Sequence, residues 1–138
     1  MYDRPSAEPE ELAEIRKLDL SKVEDVSDPR KALLEFIGSP HLCSRKWVFT
    51  QYDQSVRTNT VQGPYFEAGM IRLKGTTKGI AMSLDVNPRY CKLDPWLGAA
   101  SAVAESALNV ACAGAKPPGV TDCLNFGNPE KPGVMWEF

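Results

Sequence analysis

The chain of 138 residues lacks several features that would point directly to a function. It has no basic surplus, since 16 Lys and Arg stand against 18 Asp and Glu and give a formal net charge of -2. Proteins that bind nucleic acid neutralise phosphates with clustered Lys and Arg, so we expect no nucleic acid partner. No apolar run approaches the length that crosses a bilayer, and the acidic, proline-bearing start is unlike a signal peptide, so we expect no membrane partner.

The sequence also offers little for a metal centre or a disulfide framework. It contains one histidine, His41, and four cysteines without C-x-x-C spacing, which are Cys43, Cys91, Cys112 and Cys123. A zinc site is therefore not expected. Four cysteines could form two disulfides, but without a signal peptide a reducing cytoplasm is the better interpretation. We expect all four to be small buried hydrophobic residues.

The N-terminal part, residues 1–39, is predicted to be a linker with peripheral helices. The best-marked helix there has Asp28 as its cap, Pro29 in its first turn and Gly38 at its end. A short helix is expected within 44–52. The apolar side chains expected to pack inward in these two helices are Leu33, Leu34, Phe36, Ile37, Trp47 and Val48.

Residues 40–138 are predicted to form one α+β domain. Two strands are expected at Ala68–Leu73 and Gly79–Val86, and the second alternates apolar and polar residues as a half-buried strand does. The strongest helix pattern covers Pro95–Ala113, with Asp94 as N-cap. The buried face of this helix is mostly alanine, and such small side chains allow close packing on a sheet, which predicts a two-layer domain.

The segment after this helix is the richest in residues suited to chemistry. Lys116–Leu124 is predicted to be a further strand that enters the turn Asn125–Pro129. The Asp122 carboxylate could accept hydrogen bonds from a base or ribose, or hold Mg²⁺. Asn125 and Asn128 add side-chain donors and acceptors. Asp and Asn equally often satisfy the backbone of a turn, so from the residues alone both interpretations stay open.

Two other polar segments are weaker candidates for binding an anion. Arg89, within Asp85–Tyr90, could grip a phosphate or carboxylate, although a structural salt bridge or a solvated loop is the simpler interpretation. Arg57, within Gln51–Thr60, could also meet an anion, or the segment could simply cover the sheet. His41 has no visible nucleophile partner, and the common nucleotide-binding glycine motifs are absent.

Three strings resemble the second half of the synthetase subunit of formylglycinamide ribonucleotide amidotransferases. They are YDQSVRTNTV, DVNPRYCKLDPWLGAASAVAESALNVACAGAKP and TDCLNFGNPEKPGVMWEF. The likeness runs from about Pro40 to Phe138, and the N-terminal arm resembles the linker between the halves. It implies an aminoimidazole ribonucleotide synthetase N-terminal-like domain, which is a two-layer α+β domain with a mixed four-stranded sheet and helices on one face. Residues 1–39 would then precede a domain of 40–138, cut from a longer enzyme.

The resemblance implies an ATP-dependent C–N ligase of purine biosynthesis. Such enzymes convert formylglycinamide ribonucleotide and glutamine-derived ammonia to the amidine, with ATP and Mg²⁺. In the family, the aspartate of TDCLNFGNP contacts ATP, and that position is Asp122. The strand ending at Asp85 lacks the histidines of the family's metal-binding strand, so no metal ligand is assigned. Catalytic residues belong to parts outside this chain, so we expect the fragment to be inactive without the remaining domains and the glutaminase subunit or domain.

One segment departs from the family pattern. Members usually carry a GPGSDAAV-like stretch where this chain has Gly63–Met70, with Glu67 at the usual aspartate position. Tyr65 and Phe66 are bulky where glycine would allow a phosphate to approach. In this superfamily N-terminal domains pair their sheets into a closed barrel, so a homodimer through the sheet is also expected. The alternative function is a structural or dimerisation domain without its own ligand.

Overall fold

The structure, a computed structural model, describes residues 3–138. It divides into two compact units, one made of the residues up to Lys17 together with Ser55–Phe138, and the other of Leu18–Gln54. The predicted domain boundary between residues 39 and 40 stays a prediction. The larger unit carries the sheet and every residue discussed below as a candidate for nucleotide binding.

The elements follow the predicted order with two additions, while the strand predicted over Gly79–Val86 ends at Met82 and no strand forms over 116–124. The helices are α1 Glu10–Ile15, α2 Pro29–Ile37, α3 Lys46–Phe49, α4 Pro88–Leu93, α5 Pro95–Cys112 and α6 Pro132–Glu137. The strands are β1 Thr60–Gln62, β2 Gly69–Arg72 and β3 Gly79–Met82. Short 3-10 turns cover Leu20–Lys22, Pro40–Leu42 and Val56–Thr58. Strand β1 and helix α4 were not predicted from the sequence.

The sheet of the larger unit has three antiparallel strands in the order β1-β2-β3. Ile71 lies opposite Ile80, and Met70 lies opposite Ala81. The α+β class is therefore confirmed, while the described residues form three strands and the predicted mixed four-stranded sheet stays a prediction. The missing strand is the segment 116–124, which lies outside any strand. Its two consecutive prolines remove N–H donors from the start of the segment, where strand pairing would begin.

Helix α5 begins and ends as predicted because its capping residues are in place. The Asp94 carboxylate accepts a hydrogen bond from the backbone N–H of Leu97 at 2.9 Å. Gly114, just after the helix, has φ +86°, a conformation that favours glycine. Near its start, Gly98 lets α4 approach closely, since a Cβ there would lie 2.5 Å from the Cys91 nitrogen and 2.8 Å from the Tyr90 carbonyl carbon.

Helix α5 contacts the segment just beyond β3 through a polar seam. Ser83, just beyond β3, pairs its hydroxyl with that of Ser106 at 2.8 Å. Two residues further on, the Asn109 amide donates to a carboxylate oxygen of Asp85 at 2.8 Å. Val110 on the same helix is buried. The segment that follows β3 thus meets the helix, and the predicted two-layer packing stays a prediction.

One face of the sheet is left exposed within the described residues of the larger unit. Ile80 and Met82 of β3 alternate with the opposite face and are exposed, as are Leu84 and Val86 in the segment that follows, where Leu84 is fully exposed. The buried hydrophobic residues are Leu12, Ala68 and Val110. A folded monomer of this mass exposes about 7,000 Å², whereas this chain exposes 11938 Å². The chain therefore presents much more surface than a self-sufficient domain of its size.

The smaller unit, Leu18–Gln54, has a capped helix, α2, but no buried residue. Asp28 accepts from the backbone N–H of Lys31 at 3.0 Å, which confirms the predicted cap of α2. The expected inward packing of α2 and α3 is wrong, because nothing within the unit covers their apolar sides. Six predicted core side chains each expose half or more of their area, namely Leu33, Leu34, Phe36, Ile37, Trp47 and Val48.

Candidate functional site

Asp122 lies on the exposed segment between α5 and α6. Its side chain makes no hydrogen bond or ion pair within the described residues, so both carboxylate oxygens are available to a ligand. Asn125, by contrast, donates to the carbonyl oxygen of Cys123 at 3.1 Å. Asn128 accepts from the backbone N–H of Glu130 at 2.9 Å. The two asparagines therefore shape the turn, and Asp122 is the polar side chain left free beside it.

The turn after Asp122 is anchored by contacts to helix α6. The rings of Phe126 and Phe138 meet edge to face, with centroids 5.3 Å apart and planes at 78°. A Cβ built at Gly127 would lie 3.6 Å from both γ-carbons of Val134, so this glycine lies directly against α6. The candidate carboxylate thus precedes a turn whose position depends on α6.

The segment around Asp85 serves packing in this structure. One carboxylate oxygen of Asp85 is bonded to Asn109, while the other is buried and has no partner within the described residues. Asn87 caps the short helix α4 by accepting from the backbone N–H of Arg89 at 3.0 Å and of Tyr90 at 3.3 Å. This Asn-Pro cap is the signal that could have revealed α4 in the sequence. Anion binding by Arg89 stays a prediction.

The segment around Arg57 contains an unusual bend. Arg57 and Thr58 have φ values of 59° and 55°, in the left-handed region that non-glycine residues rarely adopt. The Arg72 guanidinium of strand β2 holds the bend by donating to the carbonyl oxygen of Thr58 at 2.9 Å. The backbone N–H of Arg72 also donates to the carbonyl oxygen of Asn59 at 2.8 Å. These contacts favour the interpretation of this segment as a structural connection to the sheet.

The segment that departs from the glycine-rich family pattern forms a turn before β2. The backbone N–H of Phe66 donates to the carbonyl oxygen of Gly63 at 3.3 Å. Tyr65 and Phe66 lie largely in solvent, whereas Ala68 is buried at the base of the turn. The bulky side chains therefore do not contribute to the interior of the sheet domain.

The cysteines are not the buried residues that the sequence suggested. Cys43, Cys112 and Cys123 are exposed, Cys91 is half-buried, and all four are free thiols. The expectation of burial is wrong because few neighbouring side chains within the described residues pack over these thiols. Cys43 accepts a hydrogen bond from the Arg45 guanidinium at 2.6 Å.

Residues 3–138 offer neither a clustered metal site nor a membrane-spanning helix. Within this range no group of three or more His, Cys, Asp or Glu side chains is arranged to hold a metal ion. No helix of the described range is long and apolar enough to span a membrane. A lone carboxylate such as Asp122 still fits Mg²⁺ that arrives with a nucleotide, because Mg²⁺ commonly takes one or two carboxylates and completes its shell with phosphates and water.

Comparison with known proteins identifies the family of this chain. The sequence model described as AIR synthase related protein, N-terminal domain, matches residues 66–138, which is just over half of the chain. The chain belongs to this family. The match includes β2, β3 and helices α4 to α6, and so contains both the inner seam and Asp122.

The AIR synthase-related chain is also similar over its whole length to part of a larger subunit. It is 51% identical over 138 residues to the phosphoribosylformylglycinamidine synthase subunit PurL of Moorella thermoacetica. It is 48% identical over 137 residues to the subunit of the same name from Caldanaerobacter subterraneus, and 45% over 137 residues to that of Alkaliphilus metalliredigens. The chain covers all or nearly all of its own length in these matches but only 19% of each relative.

Proposed function

We propose that this chain is a fragment of a cytoplasmic phosphoribosylformylglycinamidine synthase and contributes one wall of its ATP site. The observation that carries the proposal is the 51% identity to a PurL subunit over every residue of the chain. The parent reaction joins glutamine-derived ammonia to formylglycinamide ribonucleotide in purine biosynthesis. The chain alone is proposed to be inactive.

Asp122 is the residue through which the chain would contact the nucleotide. Its carboxylate is exposed and makes no polar contact within residues 3–138, and the turn behind it is fixed by the Phe126–Phe138 contact. A preplaced carboxylate can orient a ribose hydroxyl, a base amino group or a phosphate-bound Mg²⁺ without first breaking an internal bond. ATP, when bound, would supply the phosphate that activates the amide oxygen of the substrate.

Calorimetric titration with Mg-ATP tests this role of Asp122. We expect weak binding that Asp122→Ala abolishes, because a hydrogen bond to a charged group contributes about 1.5–3 kcal/mol. Asp25→Ala, on an exposed loop of the smaller unit, is the control and should leave the heat unchanged. Equal heats for Asp122→Ala and the unchanged chain would refute the assignment, and no heat from the unchanged chain would favour a structural domain without its own ligand.

The exposed outer face of the sheet supports a second proposal, that the isolated chain forms a homodimer through it. Ile80 and Met82 lie on this face, and the exposed Leu84 and Val86 follow directly after β3. Packing two such apolar surfaces together would remove them from water. In the parent enzyme the same face would be covered by another domain of the synthetase subunit.

Light scattering after gel filtration at tens of micromolar tests the dimer, because micromolar affinity corresponds to about 8 kcal/mol. We expect a dimer that Leu84→Glu converts to a monomer. Leu108→Glu is the matched control, since Leu108 is also exposed but lies on α5, on the other layer. A clean monomer before any substitution would contradict the proposal.

We also propose that the fourth strand of the family fold forms when residues 119–124 pair with the free edge of β3. Strand β3 is followed by the helices α4 and α5 and then by residues 119–124, which form no helix or strand of their own. This succession is the connection through which a parallel strand joins a sheet, and it is right-handed in nearly all proteins. Pairing of 119–124 with β3 would make the sheet mixed and four-stranded.

A further inference from the structure

The N-terminal strap, defined as residues 7–16, contacts helix α6 through its backbone. The backbone N–H of Ala7 donates to the carbonyl oxygen of Pro132 at 3.2 Å. A Cβ built at Gly133 would lie 3.3 Å from the Pro9 γ-carbon, tighter than most real contacts. The first turn of α6 therefore lies directly under the start of the strap.

The end of the strap contacts α6 through side chains. The guanidinium carbon of Arg16 lies 5.5 Å from the centre of the Trp136 ring, within the range of a cation–π contact. Glu8, at the other end of the strap, fixes the same guanidinium through an ion pair of 2.7 Å. Between them, Leu12 is only 1% exposed, the lowest value for any large side chain of the described residues.

Helix α6 depends on such neighbours because it is short. It has six residues, and an isolated helix of that length is marginal in water. Lys92 of α4 adds ion pairs to both elements, at 3.9 Å to Glu11 of the strap and 3.5 Å to Glu137 of α6. The strap and α4 thus hold α6 from the side of the sheet domain.

The remaining contacts of α6 lead to the candidate nucleotide turn. Phe138 meets Phe126, and Val134 lies against Gly127. The backbone of Lys131, at the start of α6, donates to the carbonyl oxygen of Asn128 at 3.1 Å. A displacement of α6 would therefore shift the turn that follows Asp122.

We infer that the strap positions the part of the chain that would form one wall of the ATP site. Arg16 of the strap and Trp136 of α6 are the positioning residues. The strap fixes α6, and α6 fixes the turn of residues 125–128 and with it the Asp122 carboxylate. This inference rests on the proposed role of Asp122 for its functional consequence. Its structural part, the coupling of Arg16 to the turn, can be measured without any nucleotide.

The test uses NMR on the full chain with Arg16→Gln, which removes the charge that contacts Trp136 and Glu8. We expect loss of the nuclear Overhauser contact between the Val134 methyl groups and Gly127, and its recovery in Arg16→Lys. Lys17→Gln is the matched control, because the ion pair of Lys17, at 2.6 Å, is with Glu14 and involves no residue of α6. In Mg-ATP titrations the dissociation constant should rise about three- to tenfold in Arg16→Gln.

The outcomes separate the two proposals. If Arg16→Gln keeps the Val134–Gly127 contact, the inference is overturned whether or not the chain binds Mg-ATP. If the contact is lost and Mg-ATP binding weakens, the inference is upheld in full. If the contact is lost but the unchanged chain does not bind Mg-ATP, the coupling stands and the proposed role of Asp122 fails. If the contact is lost and affinity is unchanged, the strap does not position the nucleotide wall.

Discussion

The two units of the chain form their helices by the same local rules but differ in what they bury. In the larger unit Leu12, Ala68 and Val110 are buried, and a polar seam joins α5 to the segment after β3. In the smaller unit, Leu18–Gln54, no residue is buried although its helix α2 is capped. Capping and turn residues are enough to define a helix along the chain, whereas burial requires a second surface.

The largest expected effect comes from the same substitution made in both units. Leu12→Ala should lower the free energy of unfolding by about 3 kcal/mol, because it empties a fully buried site. Leu34→Ala, at a side chain 63% exposed, should change it by less than about 0.5 kcal/mol. Urea unfolding followed by circular dichroism measures both values. Equal losses of unfolding free energy in the two variants would show that Leu34 is buried like Leu12. The contrast between the two units would then be wrong.

A second pair of substitutions probes the close approach of α4 and α5 in the larger unit. Gly98→Ala should cost about 2 kcal/mol or more, because its methyl group would overlap the backbone of Cys91 and force the helices apart. Gly119→Ala has no neighbouring atom within 4 Å and should be neutral or slightly stabilising. The midpoints of urea unfolding check the pair, and a neutral Gly98→Ala would contradict the described packing.

The smallest expected effect concerns a cap in the smaller unit. The Ser21 hydroxyl and then the Ser21 backbone N–H hold the pKa of Asp19 below its ordinary value. A lowered pKa in the folded chain means that the cap contributes at neutral pH and is lost as the pH falls through that value. An NMR titration of the carboxyl carbon should show the pKa rising in Ser21→Ala but not in Ser27→Ala. An identical titration in Ser21→Ala would show that the Ser21 hydroxyl does not hold the Asp19 carboxylate.

The sequence predicts the local structure better than the packing. Asp28, Asp94 and Gly114 mark helix ends that the structure reproduces, because each acts on its own neighbouring backbone. The burial expected for α2 and α3 is wrong because apolar periodicity identifies the apolar face of a helix. It does not identify the surface that buries this face. The strand expected over 116–124 fails for a related reason, since a strand exists only where another strand pairs with it.

Only part of the candidate site could be predicted from the sequence. The residues alone left Asp122 open between a turn-satisfying and a ligand-binding role, and the resemblance singled it out. The positioning of its turn by the strap could not be predicted, because it joins residues more than 100 positions apart through Arg16 and Trp136. Such a contact leaves no periodic pattern in the sequence.

The central claim, that Asp122 lines the ATP site, is tested most directly in a chimera that carries this chain within a complete PurL subunit. The matching segment of the Moorella thermoacetica PurL subunit would be replaced by these 138 residues, and amidine formation would be assayed with its partner subunit. We predict turnover that Asp122→Asn lowers by about 10- to 100-fold in kcat/KM for ATP, while Asp25→Asn leaves it unchanged. An active chimera whose turnover is indifferent to Asp122→Asn would contradict the claim that this carboxylate lines the ATP site.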